Sequence, residues 1–421
     1  MNRRRGNGHI RSKLVAAKWL LAAGLVAAIV GGCSCEGPRA RVPTMGAEVP
    51  RVRVRLGDEA PSMVVAVTGP WRLTGSAGLV ASGSELVWTL VKCSGGGVAF
   101  GDRPAVAGPV ELDAERPGSL WVRQMVGGQW RDRSYRGLLR LVPTESGTVR
   151  VINVVPLEAY LAGVLANELY GTWHVEAYKA QAVAARTYAV VETKRRGRYD
   201  FDVYDSTRSQ VYGGVGTETK TSWAAVLATW GLVAAYAGPE GKPVLLKTYY
   251  HSTCGGETAP AGGVFGGPTP PPLAGGVKCT FCRNSSKYRW PDVVLLKSEI
   301  GDALHRSGMP ELERLGPVQR LSVAATTGMG RAAQIRVVDA AGTSVLVRAD
   351  WWRSLVGAGK VPSTWFTVED QPDRIVLRDG RGYGHGVGLC QWGAEFLAAH
   401  GKTGEQILRY YYPKVQLVRG Y

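Results

Sequence analysis

The period of the hydrophobic pattern changes along the chain, and the changes divide it. From Val52 the segment RVRVRLG alternates apolar with polar positions. The short apolar runs MVVAVTG, LVWTLVKC, LWVRQ and LLRLVP follow at fairly regular intervals. A period of two, broken by turn residues, predicts strands that bury one face, so residues 51–147 are expected to form a β-rich module of sandwich or barrel-like kind. TVRVINVV at 148–155 extends this pattern into the middle of the chain. There the period shifts to that of a helix. Leu157, Tyr160, Leu161, Val164 and Leu165 mark one buried stripe, and Pro156 suits a first helical turn because its missing N–H costs nothing there. Gly171 interrupts the stripe, and Thr172 is the expected cap of a second helix rich in alanine, whose small side chains let another element pack closely. Glu168 falls at the break between the two.

Further on, SWAAVLATWGLVAAY at 222–236 begins as a helix and runs into a strand, and VLLKTYYHSTCGG reads as a strand entering a glycine-rich loop. Residues 259–277 are rich in Pro and Gly and are expected to form a surface excursion. QRLSVAATT, AAQIRVVDA and TSVLVRADW form a second group of strands, and ILRYYYPKVQLV closes the chain. Strands flanking a helical centre, without regular alternation, predict an α+β fold.

Composition adds a compartment. Hydrophobic residues make up 45% and charged residues 20%, an ordinary globular balance that excludes bulk disorder. Arg3, Arg4, Arg5, Arg11, Lys13 and Lys18 precede or flank the uncharged run WLLAAGLVAAIVGG, which is short for a spanning helix and reads as a secretion signal over 1–32. Val30-Gly31-Gly32-Cys33 resembles a bacterial lipobox, so Cys33 is the expected lipidation site. Residues 33–50 would be the tether, and the protein would be exported and held to a bacterial membrane, facing periplasm or cell wall, by the lipid alone. A net charge of +17 suits an anionic polymer, anionic lipid or nucleic acid. No aromatic platform organised with the basic residues argues for nucleic acid.

Four blocks carry a family resemblance. They are PLEAYLAGV through Glu168 and KAQAVAARTYA (Lys179–Ala189), YDSTRSQVYGG at 204–214, YYHSTCGGET at 249–258, and GYGHGVGLCQWGA at 382–394. In order and spacing they resemble the SpoIID/LytB family over roughly residues 120–421. The resemblance implies a SpoIID-like region over 148–421, with the two helices at an active-site cleft. Family members with an assigned activity are peptidoglycan lytic transglycosylases that use a glutamate as general acid/base. Others are linked to amidase enhancement. The expected function is therefore cleavage of the MurNAc-GlcNAc bond of glycan strands stripped of stem peptides, giving 1,6-anhydro-MurNAc ends. The alternative is a non-catalytic wall-binding enhancer of a cell-wall amidase.

The chemistry rests on Glu168, because a lytic transglycosylase needs one carboxyl group whereas hydrolases usually need two. Leu169, Tyr170 and Trp173 would desolvate it and raise its pKa; Lys179 and Arg186, if close, would lower it. Lys179, Gln181, Arg186, Tyr188, His385 and Gln391 are the expected substrate contacts, His385 because glycines on either side let backbone approach a ligand. No cofactor is needed for this chemistry. His251, Cys254, Cys279 and Cys282 have spacing suited to a structural zinc, while an exported protein makes a disulfide of Cys254 with either partner an equal option. Cys254, and Leu389-Cys390 with Trp392, depart from the family's commoner residues, serine at position 254 and Met-Ser and Tyr at the others. Cys35 and Cys93 are a candidate disulfide pair, and Cys390 has no assigned role.

Overall fold

In the computed structural model the described residues are 49–115, 118–126, 129–238 and 241–421. The leader, Cys33, Cys35 and almost all of the tether lie outside them. Among the described residues no helix is long and apolar enough to cross a membrane.

The alternating N-terminal runs form two antiparallel sheets around one core. Arg51–Ala60 shows how the pattern works: Val52, Val54 and Leu56 are buried while Arg53 and Arg55 between them are only half-buried. This strand pairs antiparallel with Val149–Pro156, which in turn pairs with Leu138–Pro143 in a seven-stranded sheet. The expected boundary between residues 147 and 148 thus falls within a sheet. The second sheet has six strands, with Ser62–Thr68 between Leu86–Ser94 and Ser119–Val126. Together these sheets give the α+β architecture its β-rich N-terminal part.

Three helices follow: α1 (Leu157–Glu168), α2 (Val175–Arg195) and α3 (Lys220–Ala228). Leu157, Tyr160, Leu161, Val164 and Leu165 enter the same core as the strands. The cap of α2 is His174 rather than Thr172; its Nδ1 accepts from the Glu176 N–H at 3.2 Å. The alanines of α2 do admit close neighbours. A Cβ added to Gly404, at the start of the helix Gly404–Tyr411, would come within 2.9 Å of Lys179 Cβ. After α2 the chain returns to the first sheet, where Val203–Tyr204 pairs parallel with Arg51–Ala60 and Arg53 bonds Asp202. Sheet and helices are therefore fastened at both ends of the helical pair.

The remaining chain builds two further cores. One gathers the alanine face of α2, the helices Gln391–Ala399 and Gly404–Tyr411, and four buried cysteines. Residues 259–277 belong to it. Ala259, Ala261, Val264 and Leu273 are buried and anchor the segment, while 266–269, 271 and 274 stay exposed, so it is a surface excursion held by apolar anchors. The other core lies within 293–381 and packs Trp352, Ile335, Leu377 and their neighbours beneath two three-stranded sheets. The expected second group of strands, Val318–Thr326, Ala332–Asp339 and Ser344–Arg348, is one antiparallel meander of this module. Its chain leaves after the strand Tyr250–His251 and returns to Leu389–Cys390. Those two short strands then pair parallel, side by side.

Candidate active site at the end of the first helix

Helix α1 ends at Glu168, and the next residue already has extended backbone. The carboxylate is therefore presented at a helix terminus rather than along a flank. Three donors converge on it. The Val211 N–H reaches Oε1 at 3.0 Å, the Tyr250 hydroxyl reaches Oε1 at 3.4 Å, and the Gln391 amide reaches Oε2 at 3.3 Å. Among the described residues no lysine, arginine or second carboxylate hydrogen-bonds or ion-pairs with it. Burial raises its pKa above the ordinary carboxylate value, and the three hydrogen bonds pull less strongly the other way.

A second layer holds the donors. The Tyr160 hydroxyl donates to Gln210 Oε1 at 3.1 Å, and Gln210 Nε2 donates to Tyr250 Oη at 2.9 Å and to Ala185 O at 3.3 Å. Burial, reinforced by the Glu168 charge, keeps the Tyr250 hydroxyl protonated by raising its pKa well above the usual value. Three aromatic rings come from residues that follow the site in sequence, two after Glu168 and one after Gln391. Tyr170, Trp173 and Trp392 meet pairwise at centroid distances of 5.2–5.9 Å, and Tyr170 is 54% exposed. Such a trio gives flat apolar faces.

The other expected contacts are spread more widely. Gln391 touches Glu168 directly. Gln181 is fully buried on the face of α2 shared with Tyr178 and Ala185, and its amide has no hydrogen-bond partner among the described residues. Tyr188 packs edge-on to Tyr249 and under the Lys247 ammonium. Lys179 is not at the carboxylate: it pairs with Glu176 at 2.6 Å, and Glu176 also accepts from the Gly404 N–H. Arg186 cannot meet substrate, since it is 0% exposed and grips Glu158 with two hydrogen bonds of 2.9 and 2.6 Å. The Gly231 N–H and the Tyr421 hydroxyl complete that buried pair. Neither cation therefore opposes the upward shift at Glu168.

His385 accepts from the Val387 N–H at 3.0 Å and packs against Tyr249, His251 and Phe265. Burial drives its pKa down, so the ring is neutral. The close approach permitted by its flanking glycines is to protein, not to an open cleft. At Gly386, with φ +82°, a Cβ would lie 2.6 Å from the Arg331 guanidinium. His251 bonds Val387 O through Nδ1, and its pKa falls to about 3, chiefly by burial. It stands outside the sulfur cluster. Cys254, Cys279 and Cys282 do come together, and the fourth thiol beside them is Cys390. Cys93 is half-buried and forms no disulfide among the described residues, and its expected partner Cys35 lies outside them.

Tyr250 and Gln210 are the partners that the sequence pattern did not single out. Both lie inside the blocks at 249–258 and 204–214, and membership of those blocks was the available signal.

Comparison with known proteins agrees with the resemblance that these blocks carry. A family described as Stage II sporulation protein matches residues 145–236, and a domain of unknown function (DUF8618) matches 280–388. An uncharacterized protein of Brachyspira hyodysenteriae is 34% identical over 288 residues, covering 68% of this chain and 72% of that protein. The Stage II sporulation protein D of Bacillus subtilis is 28% identical, over 66% of this chain and 78% of its own length. The amidase enhancer of Bacillus subtilis is also 28% identical over 61% of this chain, which spans only 40% of that protein. The chain belongs to the SpoIID/LytB family.

Proposed function

We propose that the protein is a peptidoglycan lytic transglycosylase in which Glu168 serves as general acid and then as general base. The observation that carries this reading is a single, partly buried carboxyl with a raised pKa at a helix end, with no second carboxylate paired to it among the described residues. A raised pKa keeps the acid protonated for donation to the glycosidic oxygen as the bond breaks through an oxocarbenium-like state. The resulting carboxylate is held by the Val211 N–H, the Tyr250 hydroxyl and the Gln391 amide. It then removes the proton of the muramic acid C6 hydroxyl, which closes the anhydro ring. The aromatic trio supplies stacking faces for sugar rings, and the basic overall charge suits an anionic wall polymer. Export through the leader ahead of Cys33 fits this substrate.

The test is mass spectrometry of products from purified glycan strands with and without stem peptides. Ends of 1,6-anhydro-MurNAc are expected. Reducing MurNAc ends would mean hydrolysis. No cleavage of either substrate, together with acceleration of a cell-wall amidase, would replace the proposal with the enhancer role named for the Bacillus subtilis relative.

A further inference from the structure

Four buried cysteines meet where the 293–381 module joins the rest of the chain. Cys254 lies just beyond the strand Tyr250–His251. Cys279 caps a short 3-10 turn, Thr280–Asn284, that contains Cys282, and Cys390 ends the returning strand. Their sulfurs all lie within 4.8 Å of one another, with Cys254 Sγ and Cys282 Sγ 3.5 Å apart. A tetrahedral zinc with Zn–S bonds of about 2.3 Å spaces its sulfurs about 3.8 Å apart, which is the scale of this cluster. A disulfide brings two sulfurs to about 2.0 Å and gives no reason for the other two to gather round it.

The sulfurs of Cys254, Cys282 and Cys390 also lie 3.4–3.8 Å from the Cys279 and Ser252 carbonyls, but three groups able to donate to sulfur surround the cluster. The Cys254 N–H points at Cys390 Sγ at 3.3 Å, the Gly256 N–H at Cys254 Sγ at 3.4 Å, and the Tyr411 hydroxyl lies 3.1 Å from Cys279 Sγ. Donors of this kind orient thiolate ligands. A cation stands next to them. Arg331 is fully buried, and its Nη2 donates to Cys254 O. Its Nε and Nη1 have no hydrogen-bond acceptor, and no ion pair among the described residues includes it. An unpaired buried guanidinium is costly. Four neutral thiols would leave that cost standing, whereas four thiolates around a divalent ion carry about two net negative charges and offset it.

We propose that Cys254, Cys279, Cys282 and Cys390 bind one structural zinc ion, with the buried Arg331 as its countercharge. The ion ties the chain leaving for the 293–381 module to the chain returning from it. It also fixes the start of the helix Gln391–Ala399. Gln391 follows the ligand Cys390 directly and donates to Glu168, so zinc holds a positioning residue of the site; this last consequence rests on the function proposed above. The zinc itself does not, because metal content is read without glycan.

The test uses the full-length protein purified without added metal or chelator. Elemental analysis should find about one zinc per chain, the usual count for a closed four-ligand site. Its four thiols should resist alkylation until a mercurial displaces the metal, and cobalt exchange should give the thiolate charge-transfer bands of a tetrahedral four-sulfur site. Cys390→Ser should lose the zinc, and His251→Ala should keep it. Because Cys390→Ser can also fail by misfolding, the alkylation and cobalt measurements on wild type stand independently. A mapped disulfide of Cys254 in metal-free protein, iron in place of zinc, or stoichiometric zinc in Cys390→Ser would each overturn the proposal.

Discussion

Glu168→Gln separates two consequences of one carboxyl group. A glutamine at this position retains an oxygen for the Val211 N–H and the Tyr250 hydroxyl. Its new amide group faces Gln391, which accommodates it by turning its own oxygen inward. Volume and hydrogen-bond count are kept, and only the proton is lost. Delivery of a proton by a positioned acid is worth about 10²–10⁴ in rate, or about 3–5 kcal/mol of barrier. Cleavage of purified glycan strands should fall by at least that lower factor, while binding of the same strands stays within a few fold. Stability should move the opposite way. Burial raises the pKa of Glu168 above its unfolded value, so folding disfavours the ionised form. Wild-type stability is therefore full below the unfolded pKa and declines as pH rises through the folded one. The loss is about 1.4 kcal/mol for each pH unit that separates the folded pKa from the unfolded one. Glutamine does not titrate. The variant should melt with wild type in acid and above it once the wild-type carboxyl has ionised, as read by circular dichroism across pH. Cleavage at the wild-type rate would refute the catalytic role. A variant less stable than wild type at high pH would show that the three donors favour the ionised form outright, and would refute the electrostatic argument.

Tyr250→Phe removes a hydrogen bond that favours ionised Glu168, so the alkaline limb of the pH–rate profile, where the acid loses its proton, should move to higher pH; a shift to lower pH would contradict the geometry. Arg186→Ala strands the buried Glu158 charge and should cost about 3–5 kcal/mol of stability in chemical denaturation. If it instead weakens glycan binding with stability unchanged, Arg186 belongs to the substrate site after all.

The strands and helices that carry a period were readable in advance. The alternation of Val52, Val54 and Leu56 marked one face of a strand, and the stripe from Leu157 to Leu165 marked a helix that ends at Glu168. Both signals are local, because each depends on residues only a few positions apart. What sequence could not rank was partnership at long range. Lys179 and Arg186 share a helix face with the right charge for a ligand, yet each is taken by an acid, Glu176 and Glu158, and only packing shows it. Residues 259–277 look like a loop by composition, and what composition did not show is that four scattered apolar side chains anchor it to a core. Cys390 had no local spacing to recommend it as a ligand. It joins Cys254, Cys279 and Cys282 because the parallel pairing of Tyr250–His251 with Leu389–Cys390 brings it there.

The three donors to Glu168 lie 43, 82 and 223 residues from it along the chain. A polypeptide that emerges from a ribosome or a secretion pore starting at its N-terminus exposes the glutamate long before Gln391 exists beside it. Contacts of such separation form late, since the whole intervening chain must be ordered before they contribute. Val211 and Tyr250 can reach the carboxyl before then, but Gln391 reaches it only once the 293–381 module has been made and the chain has come back. On the function proposed above, the set of groups that holds the ionised carboxyl would be complete only once the chain has been made through Gln391.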